Sequence, residues 1–321
     1  MRNESSSHGN QDNVIFLGLD IGSVSLNTVL LNSRYEVLEE YYDFTHGKPF
    51  QVLHTRLTGI LERIPSTRIA FIAHTGTAGK LAADFIGGVY VNEIIAQGTS
   101  VGTLYPDAQT VIEIGGEDSK LITLEKDPEN GHARLVDFEM NSICAAGTGS
   151  FLDQQARRIG VSIEKEFGEM ALQSANPPRI AGRCSVFAKS DMIHLQQIAT
   201  PLHDIVAGLC FALARNFRST VARSKDLKKP VVFSGGVAAN AGMVRAFREV
   251  LNLTDGELII PKHHASMGAI GAVMYGWNNQ VPSTHFKGLT ALEEYLQSGG
   301  LASASLPRLL ESEAEYHKEV H

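Results

Sequence analysis

Two cysteines carry the most demanding chemistry in this sequence. Cys144 stands just ahead of a run of small residues, Ala145-Ala146-Gly147-Thr148-Gly149, which gives way to the helical pattern FLDQQARRIG. Cys184, in AGRCSVFAKSD, also precedes a predicted helix start, with Ser185 or Ser190 available as its cap. Near a helix N-terminus an anion, whether thiolate or phosphate, meets unpaired backbone N–H groups and the positive end of the helix dipole. Two cysteines in matching settings point to metal ligation. The same small residues also serve tight packing, and a cysteine is also an ordinary core residue, so both readings stand. The third cysteine, Cys210, lies among Val206, Leu209, Leu213 and Phe217 of an apolar helix and is assigned to the core.

Acidic residues recur beside glycine turns. VIFLGLDIG reads as a buried strand ending at Asp20, with Gly18, Gly22 and Ser23 around it, and two further strands follow, SLNTVLLN and EVLEEYYDF. Glycine lets a phosphate approach the backbone, and the Asp20 carboxylate can hold Mg²⁺ through water, although D-x-G also makes ordinary hairpins. The pattern returns in TVIEIGGED, with Glu113, Gly115, Gly116, Glu117 and Asp118, and again two strands follow, SKLITLE and ARLVDFEM. A repeat of this kind predicts two similar lobes, each offering a turn to a shared cleft. Two such turns can clamp a nucleotide's phosphates, with Asp20, Glu113, Glu117 and Asp118 around the metal and the attacking water. In KKPVVFSGGVAANAG a third strand runs into Gly235 and Gly236, and a helix starts near Asn240. Its glycines suit an adenine or ribose face.

The elements that must position these groups are legible between them. PFQVLHTRLTGILERI is helical and RIAFIAHTG is a strand. GTAGKL lacks the P-loop pattern, because no Gly stands six positions before Lys80 and Leu81 replaces the Ser/Thr; it reads as a turn into a helix. Glu93 and Gln97, four apart, share a helix face that reads as solvated. ELIIPKHHASMGAIGAVMYG is a strand followed by a helix, and the adjacent His263 and His264 are poorly spaced for one metal and line a loop. The 321 residues, 43% hydrophobic, suffice for two packed lobes. The formal charge of -7 argues against a nucleic-acid surface, and no apolar run nears the roughly 18 residues of a membrane helix. The polar start MRNESSSHGNQDN is no secretion signal, and three cysteines fit a reducing cytosol better than a disulfide framework.

In this order GLDIGS, EIGGEDSK, NSICAAGTGSFLDQQA, AGRCSVFAKSD and VFSGGVAAN resemble the activator ATPases of 2-hydroxyacyl-CoA dehydratases and the related benzoyl-CoA reductase subunits, from about Val14 to Trp277. These belong to the acetate and sugar kinase/Hsc70/actin superfamily. The resemblance implies an α/β, two-lobed, duplicated actin/Hsc70-like (ribonuclease H-like) fold with the nucleotide between the lobes. It also implies an oxygen-sensitive cytoplasmic homodimer holding one [4Fe–4S] cluster at its interface, with Cys144 and Cys184 of each chain supplying the four thiolates. Members of this family take an electron from ferredoxin or flavodoxin and pass it to an iron-sulfur dehydratase or reductase, driven by MgATP hydrolysis that changes the angle between subunits. The helices after each cysteine would be the levers. Asp20 and Gly22 match the first phosphate turn; Glu113, Gly115, Gly116, Glu117 and Asp118 the second; Gly235, Gly236 and Asn240 the adenosine turn. Gly18, Ser23, Gly147 and Gly149 complete the expected cofactor-binding set.

Four positions depart from the pattern of the short activators. Short activators resemble D-I-G-G-Q-D where Glu113 and Glu117 stand here, and the E-I-G-G-E-D form is closer to the longer, multidomain members. Val24 and Asn27 stand where short activators tend to have Thr and Lys. The expected organisation is a disordered leader over residues 1–13, a first lobe over 14–107 with a helix near 265–277 packing back on it, a second lobe over 108–264, and a tail or linker over 278–321. Two other readings share these residues. In a sugar or small-acid kinase of the same superfamily, Glu113 or Asp118 is the general base and the cysteines are merely buried. In a nucleotide sensor, the cysteines bind Zn²⁺ at a dimer interface.

Overall fold

The structure is a computed structural model that describes residues 14–127, 133–141, 145–223 and 225–298. The leader read over residues 1–13, Cys144 and everything past residue 298 lie outside the described residues. Two five-stranded sheets share one topology. The first contains β1 (Ile15–Ile21), β2 (Ser25–Leu31), β3 (Val37–Phe44), β4 (Ile69–Thr75) and β5 (Val89–Tyr90), in the order β3-β2-β1-β4-β5. The second contains β6 (Thr110–Ile114), β7 (Ser119–Lys126), β8 (Ala133–Asn141), β9 (Val231–Ser234) and β10 (Leu258–Ile259), in the order β8-β7-β6-β9-β10. In each sheet the first three strands form an antiparallel meander and the last two add in parallel. The strand, acidic turn, strand, strand repeat of the sequence is this duplication.

Strand alternation sorts the first lobe. Ile15, Leu17, Leu19 and Ile21 face Leu53 and Leu57 of α1 (Pro49–Leu61), Ala82 and Ile86 of α2 (Gly79–Ile86) and Leu292 of α10 (Thr290–Gln297). Phe16 points the other way, onto Ala269 and Val273 of α9 (Met267–Asn278). By the period of two, Gly18 and Asp20 share that second face. A Cβ on Gly18 would come within 2.5 Å of the Ala269 carbonyl oxygen, so glycine is what lets α9 lie against the strand. Asp20, at the end of the same row, is left to face the space beyond.

Helix α3 (Glu93–Leu104) lies between the two sheets. Ala96 packs with Ala269 and Val273 of α9, while Ile94 and Val101 pack with Ile122, Leu124 and Val232 of the second sheet. The second lobe is built on α7 (Leu202–Thr220), whose Ile205, Leu209, Leu213 and Phe217 are wholly buried. Around it stand α4 (Gly149–Ile159), α5 (Phe167–Leu172), α6 (Ser185–Gln197) and α8 (Ala241–Val250). Cys210 sits inside α7, and burial pushes its thiol up to about 12, as suits an inert core residue. Among the described residues no helix is long and apolar enough to cross a membrane.

Candidate active site

A cleft of ≈ 330 Å³ opens where the glycine turns of the two sheets meet. Its chemistry centres on Lys120, a residue that the motifs alone do not single out. On β7 it lies in register with Glu113 of β6, and its ammonium contacts Glu113 at 2.8 Å, Asp118 at 2.8 Å and Glu93 at 3.0 Å. The Lys120 and Glu113 side chains are nearly fully buried, whereas Glu93 and Asp118 keep access to the cleft. Burial opposes the Lys120 charge, but Glu113, Asp118 and Glu93 outweigh it and raise the ammonium's pKa. Burial raises Glu113, and the Lys120 ammonium works against that shift.

Asp20 contributes a fourth carboxylate and has no ammonium of its own. Burial, followed by the charges of Glu93 and Glu113, pushes its carboxyl up to about 7. One ammonium thus serves a cluster of acidic groups, which leaves the cleft short of positive charge.

Gly22, Ser23, Gly115, Gly116, Glu117, Asp118, Gly235 and Gly236 all line the same cleft with Asp20 and Glu113. The turns touch: a Cβ on Gly116 would lie 2.6 Å from the Val24 side chain. Gly18 is instead packed beneath α9, and Asn240 caps α8 by accepting from the Met243 amide at 3.1 Å. Gly147 and Gly149 lie behind the second turn. The Gly149 amide donates to the Gly115 carbonyl at 2.9 Å, and the Ser150 amide donates to the Gly116 carbonyl at 2.8 Å, reinforced by the Ser150 hydroxyl at 2.6 Å. The first amides of α4 are therefore taken up by the cleft's own glycine turn.

The solvated face expected for Glu93 and Gln97 is corrected. Asn92 caps α3 at the Ile94 amide, and the helix enters the layer between the lobes, so this face turns inward. Glu93 pairs with Lys120, and the buried Gln97 accepts a hydrogen bond from the Ser234 hydroxyl at 3.4 Å. His263 and His264 are loop residues as expected; His263 contacts Glu40 at 2.6 Å and His264 the Gly235 carbonyl at 3.1 Å. A second cavity of ≈ 450 Å³, lined by Phe71, Trp277 and His285, lies on the first lobe and shares none of these residues.

Cys184 occupies the N-cap position of α6 with a half-buried, free thiol. Neither serine caps the helix, which corrects that expectation: the N-cap residue is Cys184 and its side chain makes no cap hydrogen bond, Ser185 is already helical, and the Ser190 hydroxyl donates back to the Val186 carbonyl at 3.3 Å. Val186 and Phe187 beside the thiol are each 64% exposed. Among the described residues no three His, Cys, Asp or Glu side chains converge as a metal cage. With Cys210 sealed in α7, a thiolate cluster on this chain has only Cys144 and Cys184 to draw on. That donor set fits a four-thiolate cluster when two chains share it.

Residues 17–276 match the BadF/BadG/BcrA/BcrD ATPase family. The chain belongs to that family. It is 34% identical over 268 residues to the 2-hydroxyisocaproyl-CoA dehydratase activator of Clostridioides difficile, covering 82% of this chain and 94% of the relative. Among solved structures, the activator of the 2-hydroxyisocaproyl-CoA dehydratase from Clostridium difficile, with bound ADPNP, superposes with a TM-score of 0.72 at 30% identity, over 89% of this chain and 98% of that one. The (R)-2-hydroxyglutaryl-CoA dehydratase component A of Acidaminococcus fermentans gives a TM-score of 0.74 at 28% identity, over 84% of this chain and 100% of that one. The protein is an ATPase with the duplicated actin/Hsc70-like fold.

Proposed function

We propose that this chain is an ATP-dependent reductive activator: a homodimer that couples MgATP hydrolysis to delivery of a low-potential electron to an iron-sulfur dehydratase or reductase, with ferredoxin or flavodoxin as donor. The observation that carries this reading is the bonding of α4 to the second glycine turn. Whatever moves Gly115 and Gly116 when phosphates bind also moves the helix that begins five residues after Cys144.

In this reading the backbone amides of the glycine turns hold the phosphates, and Asp20, Glu117 and Asp118 would hold Mg²⁺, which would supply neutralising charge at the phosphates. Glu113, fixed by Lys120, orients the water whose oxygen attacks the γ-phosphorus. The bond from that phosphorus to the β–γ bridging oxygen breaks, and the water's proton passes to a cleft carboxylate. Cys144 and Cys184 of two chains would hold a [4Fe–4S] cluster, which supplies one-electron chemistry at low potential. The exposed Val186 and Phe187 beside Cys184 suit burial against a second chain.

Iron and acid-labile sulfide on anaerobically reconstituted protein test the reading. The expected result is about four of each per dimer, with visible absorbance that bleaches on dithionite reduction. Zinc in their place, or no metal beside intact ATP turnover, would remove electron transfer from the function.

A further inference from the structure

The duplication allows each lobe to be compared with the other at the cleft. In the second sheet Glu113 on β6 is in register with Lys120 on β7 and Ser234 on β9. The Lys120 ammonium there lies 2.8 Å from the Glu113 carboxylate. In the first sheet the equivalent row is Asp20 on β1, in register with Asn27 on β2 and Thr75 on β4. Asn27 thus stands where the second lobe carries its ammonium. Residues opposite one another on neighbouring strands share a face, and strands lie about 4.8 Å apart, so the three side chains look into one space. All three line the cleft.

Two of the three carry an oxygen without a partner. Asn27 is 6% and Thr75 0% exposed, yet the Asn27 Oδ1 and the Thr75 Oγ1 make no hydrogen bond. A buried amide oxygen offers only lone pairs, so what it lacks is a donor or a cation. Among the described residues lining the cleft, Lys120 is the sole lysine or arginine, and it is engaged by Glu93, Glu113 and Asp118.

We propose that the first lobe binds a monovalent cation of the potassium class between Asn27, Asp20 and Thr75, in the place that the Lys120 ammonium holds in the second. One carboxylate and two neutral oxygens match a single charge. Mg²⁺ keeps several waters and is drawn to carboxylates and phosphates, whereas K⁺ gives up its hydration shell to neutral oxygen ligands. The bound ion gives the first glycine turn the positive neighbour that Lys120 gives the second. The site stands on the cleft's own geometry and goes beyond the electron-transfer reading.

Thermal unfolding of the full chain, free of nucleotide and with EDTA present, tests it in potassium chloride against choline chloride at equal ionic strength. At ten times the dissociation constant, potassium is expected to raise the midpoint by roughly 2 °C. Asn27→Lys, which supplies the ammonium covalently, is expected to abolish the difference, and Thr75→Val to shrink it. Crystals soaked in a thallium(I) salt are expected to show an anomalous peak between the three side chains. Equal midpoints in the two salts, a potassium effect undiminished in Asn27→Lys, or no thallium peak at this row overturns the site. Should Asn27→Lys not fold, Thr75→Val and the thallium peak decide. Failure of ATP turnover would strike the functional reading and leave these nucleotide-free measurements intact.

Discussion

Lys120, on β7 of the second sheet, places its ammonium 3.0 Å from the carboxylate of Glu93, at the first turn of α3. Helix α3 packs against α9, and α9 packs against the first sheet. The contact therefore joins the layer between the lobes to the turn that carries Gly115, Gly116 and Asp118. A helix N-terminus is a favourable place for the Glu93 charge, so this pair is supported from both sides.

Removing the Lys120 ammonium should affect the fold and the chemistry separately. In Lys120→Met the buried Glu113 loses its counter-charge, at a cost of about 3–5 kcal/mol of stability by denaturant unfolding, and ATP turnover is lost. Adding Glu113→Gln removes the stranded charge and should return part of the stability with no return of turnover. Full turnover in Lys120→Met would show that the lysine plays no part at the phosphates.

Acidity gives a second check. The folded Asp20 carboxyl stands at about 7, against an ordinary value of 3.8, with burial the main cause. Between those values the folded chain holds a proton that the unfolded chain has released. The stabilisation is complete below about pH 4, falls as pH rises, and is gone above about 7. Its slope is at most about 1.4 kcal/mol per pH unit. Chemical unfolding of the metal-free protein across this window should be shallower in pH for Asp20→Asn; an unchanged slope would place the titration elsewhere.

The sequence pattern reached the turns because their signals are local. Asp20, Glu113, Gly115, Gly116 and Gly235 each end a strand whose apolar run and glycine are contiguous, and the repeated meander shows that there are two sheets. Lys120 was hidden for a different reason. A lysine two residues after Asp118 reads as a solvent group. Asp118 and Glu113 lie two and seven residues from it, but only the pairing of β6 with β7 sets Glu113 opposite the lysine, and Glu93 arrives from α3. One signal was available: by the period of two, Lys120 shares its face with the buried Ile122 and Leu124. Glu93 and Gln97 failed in the same way, since a charged i, i+4 face turns inward only when another lobe packs on it. Asn27 becomes informative only beside its counterpart in the other sheet.

The contact between Val24 and Gly116 sets how closely the two turns approach. A Cβ on Gly116 would stand 2.6 Å from Val24, too near for either group to remain in place. Gly116→Ala is expected to weaken ATP binding by about 1–3 kcal/mol, the usual range for overpacking. Val24→Ala removes the two Cγ atoms but keeps the Cβ that stands just as near, 2.6 Å away, so it should be nearly neutral alone and should restore only part of the loss in the double variant. Calorimetric titration with a non-hydrolysable ATP analogue measures the coupling, and simple additivity of the two changes would mean that they do not meet in the bound form.

The cysteines allow ligand loss to be told apart from misfolding. Cys184 has a half-buried thiol at a helix N-cap and makes no cap hydrogen bond with it, and serine is a better cap than cysteine. Cys184→Ser should therefore leave the metal-free chain as stable or firmer by roughly 1 kcal/mol, with ATP turnover retained and reconstituted iron lost. Native metal-free protein should also react with a thiol reagent at Cys184, whereas Cys210, wholly buried and with its thiol pushed up to about 12, reacts only on unfolding. A Cys184→Ser protein that keeps its full iron and sulfide would exclude this thiol as a ligand, and one that loses ATP turnover together with its iron would place Cys184 in the folding of the second lobe.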